Sequence, residues 1–451
     1  MTTVHCEQAW LGGDSATKDV LIETSDGVID SVTTGVPAPE GAVVLRGLTL
    51  PGLANTHSHV FHRAIRGHSQ SGVADFWLWR DLMYSVAERL TPELMYDLAR
   101  ATYAEMAMSG VTSVGEFHYV HHQAGGERYP DPNEMSRAVI RAANDAGIRI
   151  TLIDTCYLQA DVHGAPLVGV QQRFDDGTWE AWAKRAAQLG NGPRHRTGAA
   201  IHSVRAVPRE AMAPIADFSR DHGWPLHVHL SEQPAENDAA REAFGLTPTG
   251  VLAAEGVLGK STTAVHATHL TDEDIRTLGG SHTAISMCCT TERDLADGVG
   301  PAARLLAAGS PLCVGSDAHM MIDLWEEARA IELDERLVSG RRGHLSVGTL
   351  VRAMTTDGSA AIGWPEAGLI ATGALADLVT VRLDSPRTAG ARSGDALAHA
   401  VFAATAADVT DVFVGGSAIV RDGRHLTVDV GQELESSIAA ALGTVSAASR
   451  S

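Results

Sequence analysis

The chain has 451 residues, 44% of them hydrophobic, with a formal net charge of -20 and a pI near 5.4. That length asks for one large domain plus a smaller one. The acidic balance argues against nucleic acid and anionic membrane as partners, and leaves room for a local positive pocket. Cys6, Cys156, Cys288, Cys289 and Cys313 are odd in number and irregular in spacing, which reads as a reduced, cytoplasmic protein. The N-terminal MTTVHCEQAW has neither the basic nor the apolar region of a signal peptide. No uncharged apolar window is long enough to span a bilayer.

In chain order, VLIETSDGVIDSVTT predicts two short strands around Asp26-Gly27. Eight strand-like runs follow: LTLPGLANTHSH, GVTSVGEFHY, IRITLIDTCYL, TGAAIHSV, PLHVHLSE, TTAVHATHL, TAISMCCT and PLCVGSDAH. They are short and apolar on both faces, as buried parallel strands are. Helical stretches lie between them, among them TPELMYDLARATYAEMAMSG, DPNEMSRAVIRAANDAG and TWEAWAKRAAQLG. The first opens on a Thr-Pro cap signal and closes at Gly. Eight strand–helix units predict an α/β fold, a (β/α)8 TIM-like barrel over residues 50–365. Near the end, DVFVGGSAIVRDGRHL repeats the hairpin signal, with Gly415-Gly416 and Asp422-Gly423 at its turns. Residues 1–49 and 366–451 are expected to form one small β-sandwich domain, since neither end can bury a sheet alone.

Polar residues gather at the strands' C-terminal ends: His57 and His59, Glu116 and His118, His202 with Arg205, His227 and His229 with Glu232, His266 and His269, Asp317 and His319. A barrel brings such ends to one mouth. His57 and His59 alternate by two and so leave the same face of a strand, which suits gripping one ion. Imidazole and carboxylate favour zinc ahead of ferrous iron or manganese. A third His from the fifth strand and a carboxylate from the eighth would complete the set. His229 is preferred to His227 because it lies nearer the strand end, with His227 a supporting residue. Glu232 follows by one loop turn, near a bound water and not a ligand. His266 is preferred to His269 on the sixth strand.

With THSH, HVHLSE, HATHL and GSD in this order, the chain resembles the amidohydrolase superfamily, in its mononuclear deaminase branch. The blocks FWLWRDLMY, GEFHYVHH, HSVRAV, HVHLSEQ and TTERDLADG make it similar to the formimidoylglutamate deiminase family. Binuclear superfamily members bridge two metals with a fourth-strand Lys or, in some, a carboxylate. The only lysines here are Lys18, Lys184 and Lys260, so no Lys lies on that strand. One Zn2+ per subunit is therefore expected.

The resemblance implies His57, His59, His229 and Asp317 as metal ligands. It implies hydrolysis of a C=N bond, with Asp317 taking a proton from the attacking water, His266 stabilising the tetrahedral carbon and Glu232 serving the departing nitrogen. Arg80, Tyr119, His202 and Arg205 carry over as substrate contacts, with His62 where the family has Gln. Arginine suits a dicarboxylate because it offers paired donors. Arg80 is expected in the loop after the first barrel strand, with the FWLW before it packing under that loop. Further departures are Cys289 for Pro, Asp294 for Asn and Ala318 for Ser. His62 and Asp294 are the two that bear on the acid side chain, so a formimino-aspartate or guanidino-glutarate stays open. A purine, pyrimidine or triazine deaminase on the same barrel would want a stacking pocket in place of two arginines. A catalytically dead scaffold would lack a ligand, and none is missing. A homodimer is the family expectation.

Overall fold

The computed structural model describes residues 2–68, 76–392 and 394–443. Side chains of residues 76–78 lie outside the described residues, and with them most of the FWLW packing. Strands β1 (Thr2–Ala9), β2 (Thr17–Ser25), β3 (Val28–Thr34) and β4 (Val43–Pro51) precede eight barrel strands. These are β5 (Leu53–Ser58), β6 (Val111–His118), β7 (Arg149–Cys156), β8 (His195–Ser203), β9 (Leu226–Leu230), β10 (Thr262–His266), β11 (Ala284–Met287) and β12 (Leu312–Val314). After them come β13 (Leu378–Val381), β14 (Val409–Val414), β15 (Ser417–Arg421) and β16 (Arg424–His425).

Strands β5 to β12 pair in sequential order, all parallel, with helices between them, so the barrel forms as expected. β6 and β7 are buried at every residue, which is why their sequences show no polar alternation. The connecting helices follow their caps. Thr91 accepts from the Leu94 N–H with Pro92 at the first helical position of Pro92–Met108. Glu134–Ala146 stops at Gly147, in the left-handed conformation.

The second sheet has the order β16-β15-β14-β13-β4-β1-β2-β3 and is built from both chain ends. They meet at β4, parallel to β1 and antiparallel to β13. The run LTLPGLANTHSH serves both sheets: it is the end of β4 and all of β5, with Gly52 between. A Cβ on Gly52 would come 2.1 Å from Thr112 Oγ1, so the chain passes there only as glycine. Arg149 at the foot of β7 ties the sheets together through Asp377, at 2.7 and 3.0 Å. Helix Val430–Ala441 returns to lie on Pro92–Met108, with an Arg100–Glu433 ion pair.

The barrel closes narrowly. Among the described residues, β12 meets β5 through a single parallel bridge, Ser58 to Asp317, flanked by Asp317 N–H to His57 O (2.9 Å) and His59 N–H to Asp317 O (3.1 Å). Gly315 permits this approach, because a Cβ there would sit 2.7 Å from the His57 Cβ.

Candidate active site

The strand ends do converge. His57 and His59 lie at the end of β5, His229 on β9, His266 at the end of β10, and Asp317 just past β12, all buried. His229 Nε2 is 3.1 Å from His57 Nε2 and 3.4 Å from His59 Nε2. Asp317 Oδ1 is 3.3 Å from His57 Nε2 and 3.4 Å from His59 Nε2.

Backbone carbonyls decide the tautomers. His59 Nδ1 donates to Phe117 O (3.0 Å) and His229 Nδ1 to His202 O (2.9 Å). Both Nε2 atoms are therefore bare lone pairs that face each other, and that of His59 also faces a carboxylate oxygen of Asp317. Burial, then the nearby His57, holds His59 and His229 well below the ordinary imidazole pKa, so both are neutral donors. Converging lone pairs repel unless a cation lies among them. A tetrahedron with bonds of ~2.0–2.1 Å has edges of about 3.3–3.4 Å, close to the four separations here. The donor set fits a divalent ion.

A further group, His266, Cys288 and Glu292, suits an ion less well. Burial pushes the Cys288 thiol well up, so it stays protonated. Glu292 Oε1 already accepts from the Cys288 N–H (2.9 Å) and His266 Nδ1 (3.3 Å). That contact turns His266 Nε2 toward Glu232 Oε1 (3.8 Å) and Asp317 Oδ2 (3.9 Å). Burial alone would lower the His266 pKa, but Glu232, Glu292 and Asp317 outweigh it and push it up to about 10. Burial, with Asp317 and Glu292, raises the Glu232 carboxyl against the pull of His266 and Arg205.

The cationic wall stands on β7, β8 and the β5–β6 connection. Arg205 gives Nη1 to Tyr157 Oη and to Ala160 O, both at 3.1 Å. Its Nε–Nη2 edge has no protein acceptor among the described residues, which leaves a planar fork for a ligand. His202 lies with its ring 4.3 Å from Tyr157 and 5.0 Å from His229. Tyr119 meets His62 Nε2 through its hydroxyl (3.1 Å), and its ring stands 5.3 Å from His59. His62 is buried, and its Nδ1 has no hydrogen-bond partner among the described residues. Arg80 is on helix Phe76–Arg89 and not in a loop, one turn before Tyr84, over whose ring its guanidinium sits at 5.7 Å. Burial raises the Tyr84 pKa, while Arg80 and Arg205 both pull it down, so the two arginines act on one neighbourhood.

His227 and His269 point elsewhere. His227 Nε2 donates to Ala361 O (3.0 Å) and His269 Nε2 to Asp297 O (2.7 Å). Cys289 opens the helix Cys289–Asp294 at its first position, where proline's missing N–H costs nothing, so the two residues exchange freely there. Asp294 is exposed at the end of that helix, and Ala318 gives its N–H to Thr291 Oγ1. Residues not anticipated at the site are Tyr157, Glu292 and Asp297. Backbone strain marks it too: Ser231, His266, Ala267, Asp317 and His319 all have positive φ at the ends of β9, β10 and β12. Each costs roughly 1–3 kcal/mol that packing must hold.

A parallel eight-stranded barrel with three imidazoles and a carboxylate at its mouth defines a class, and the sequence agrees: the amidohydrolase family model matches residues 48–419, and the chain belongs to that family. It is 36% identical over 440 residues to the formimidoylglutamate deiminase of Pseudomonas aeruginosa, covering 94% of this chain and 96% of that one. It is 28% identical to a 5-methylthioadenosine/S-adenosylhomocysteine deaminase of Natronomonas pharaonis, covering 93% and 94%. The crystal structure of an amidohydrolase from Brucella melitensis superposes with a TM-score of 0.91 at 31% identity, covering 98% of this chain and all of that one. Among the described residues, no helix is long and apolar enough to cross a membrane.

Proposed function

We propose that the protein hydrolyses the C=N bond of N-formimino-L-glutamate, giving N-formyl-L-glutamate and ammonia. One zinc ion would be held by His57, His59, His229 and Asp317. The observation that carries this reading is the convergence of bare imidazole nitrogens with Asp317, beside His266 and Glu232, together with an arginine close by: the His202 ring is 5.0 Å from His229 and 4.3 Å from Tyr157, whose hydroxyl accepts from Arg205. The likeness to the Pseudomonas aeruginosa deiminase supports it.

The ion, when bound, supplies a water acidic enough to attack near neutral pH. Asp317 accepts a proton from that water as its oxygen bonds to the formimino carbon. His266 gives a hydrogen bond from Nε2 to the attacking oxygen as the carbon becomes tetrahedral. Glu232, 3.8 Å from His266, passes both protons of the water in turn to the terminal nitrogen, the first taken up by Asp317 on attack and the second from the C–OH as it becomes a formyl carbonyl, and the nitrogen departs as ammonia. Arg205, Arg80, Tyr119, His202 and His62 hold the two carboxylates, and the buried, half-satisfied His62 is why a related N-formimino or N-guanidino acid is the alternative substrate.

The test is ammonia release from zinc-loaded protein given N-formimino-L-glutamate, N-formimino-L-aspartate, N-guanidino-L-glutarate, cytosine and guanine. Release from the first alone is expected. Release from another acid moves the specificity to His62, and silence from all five rejects the reading.

A further inference from the structure

Behind the candidate ligands lies a buried chain of side chains with only one consistent direction. Asn55 is oriented by the Ser316 N–H, which donates to its Oδ1 (2.9 Å). Its Nδ2 must then donate to Ser316 Oγ (2.7 Å). Ser316 passes its own proton to His319 Nδ1 (2.9 Å). A neutral His319 with an accepting Nδ1 carries its hydrogen on Nε2, which donates to Ser58 Oγ (3.1 Å). Ser58 in turn donates to Glu116 Oε2 (2.5 Å), and Glu116 Oε1 accepts the Val60 N–H (2.8 Å). Asn55, Ser58, Glu116, Ser316 and His319 are all buried.

The chain crosses the place where the barrel closes. Ser58 sits between His57 and His59, and Ser316 and His319 flank Asp317. Among the described residues no regular ladder joins β5 to β12 there, and the pairing is the single Ser58–Asp317 bridge. Asp317 and His319 both hold positive φ, a backbone that needs outside support. None of the five side chains takes part in the chemistry above.

We infer that Asn55, Ser316, His319, Ser58 and Glu116 form a directional clamp that sets the spacing of His57 and His59 against Asp317. Glu116 and His319 are thus positioning residues for the ion, and the inference rests on the ion assignment above. Glu116 terminates the chain because its two oxygens accept from two donors, the Ser58 hydroxyl at Oε2 and the Val60 N–H at Oε1. A glutamine there offers one acceptor oxygen where Glu116 offers two, so either the Ser58 hydroxyl or the Val60 N–H loses its acceptor and meets an amide N–H instead. Outer partners of this kind are worth about 10–100-fold in metal affinity.

The test uses the full-length protein stripped of metal. Zn2+ affinity is read by competition with a chromophoric chelator, and Co2+ is read by its visible absorption, neither needing substrate. Glu116→Gln, nearly isosteric, is expected to weaken Zn2+ about 10–100-fold and to alter the Co2+ spectrum. Ser58→Ala, which cuts the chain at its middle, is expected to do the same. His319→Gln, which keeps a donor toward Ser58, should recover most of the affinity that His319→Ala loses. If Glu116 were only a costly buried carboxylate, Glu116→Gln would raise the melting temperature of the metal-free protein and leave Zn2+ affinity and the Co2+ spectrum unchanged. That result, or Zn2+ affinity within about twofold of wild type in both Glu116→Gln and Ser58→Ala, overturns the clamp. A wild-type protein that takes up neither ion overturns the ion assignment, and the clamp with it.

Discussion

Replacing Arg205 tests the cationic wall most directly. Two of its donors, both from Nη1, are spent on Tyr157 and Ala160, and the Nε–Nη2 edge faces no protein acceptor among the described residues. A carboxylate docked on that edge gains two charge-assisted hydrogen bonds at roughly 1.5–3 kcal/mol each. Arg205→Met should therefore lower kcat/KM for N-formimino-L-glutamate by about 3–6 kcal/mol, or roughly 10²–10⁴-fold. Arg205→Lys keeps the charge, loses the fork and falls between. Tyr157→Phe controls for disturbance of the wall: it removes one tether and leaves the edge intact, so its loss stays below tenfold. The assay is steady-state ammonia release on the dicarboxylate and on two analogues, each lacking one carboxylate. For the analogue missing the carboxylate that Arg205 binds, the variant and wild type should nearly coincide, which isolates the pair energy. Arg205→Met within about threefold of wild type, or equal losses on all three compounds, would refute the reasoning.

Glu232→Gln keeps the shape and removes the base, so kcat should drop about 10²–10⁴-fold while bound zinc, read by atomic absorption, stays at wild-type level. Dialysis against a chelator should abolish ammonia release, and zinc should restore it. The same ion at a free concentration 1,000 times its Kd should stabilise the fold by about 4 kcal/mol, visible as a rise in the thermal midpoint. Acid should act through the buried cluster of Arg185 with Asp154 and Asp176. Burial raises both carboxyls, but Arg185 outweighs it for Asp154, and His122 with Arg185 does so for Asp176, holding both below the usual range. Their folded pKa values lie under the unfolded value near 4. The stabilisation is therefore complete above about pH 4–5 and drains as pH falls toward the folded values. The melting temperature of metal-free protein should drop between pH 5 and 3, and Asp154→Asn should flatten that slope; an unchanged slope would remove the cluster from the account.

Much of the barrel was legible because buried parallel strands leave an unmistakable trace: short apolar runs that end in polar residues. The His57–His59 pair was legible for a local reason, the period of two in a strand. The split of LTLPGLANTHSH was not, since both halves are apolar, and only the approach of Thr112 to Gly52 shows why the chain changes sheets there. The helix that carries Arg80 is not legible, because Gly67 and Gly72 shortly before it read as loop. Glu292 escaped notice because its partner His266 lies 26 residues back, and a carboxylate on a short helix carries no local sign of what it touches. Glu116 and His319 were visible as strand-end polar residues, but their meeting at Ser58 spans 58 and 261 positions. Such long-range pairs are set by topology, and no spacing rule reaches them.

The narrow closure between β5 and β12 bears on how the protein is made. Its two sides are separated by 261 positions, as Asn55 and Ser316 show. Every strand of the barrel must be synthesised before Asp317 can stand beside His57. A ribosome-bound chain shorter than that carries the His pair but no site to use it, and would hold an ion only weakly and without order. An ion held as proposed above would therefore be taken up in order only once the ring of strands is complete.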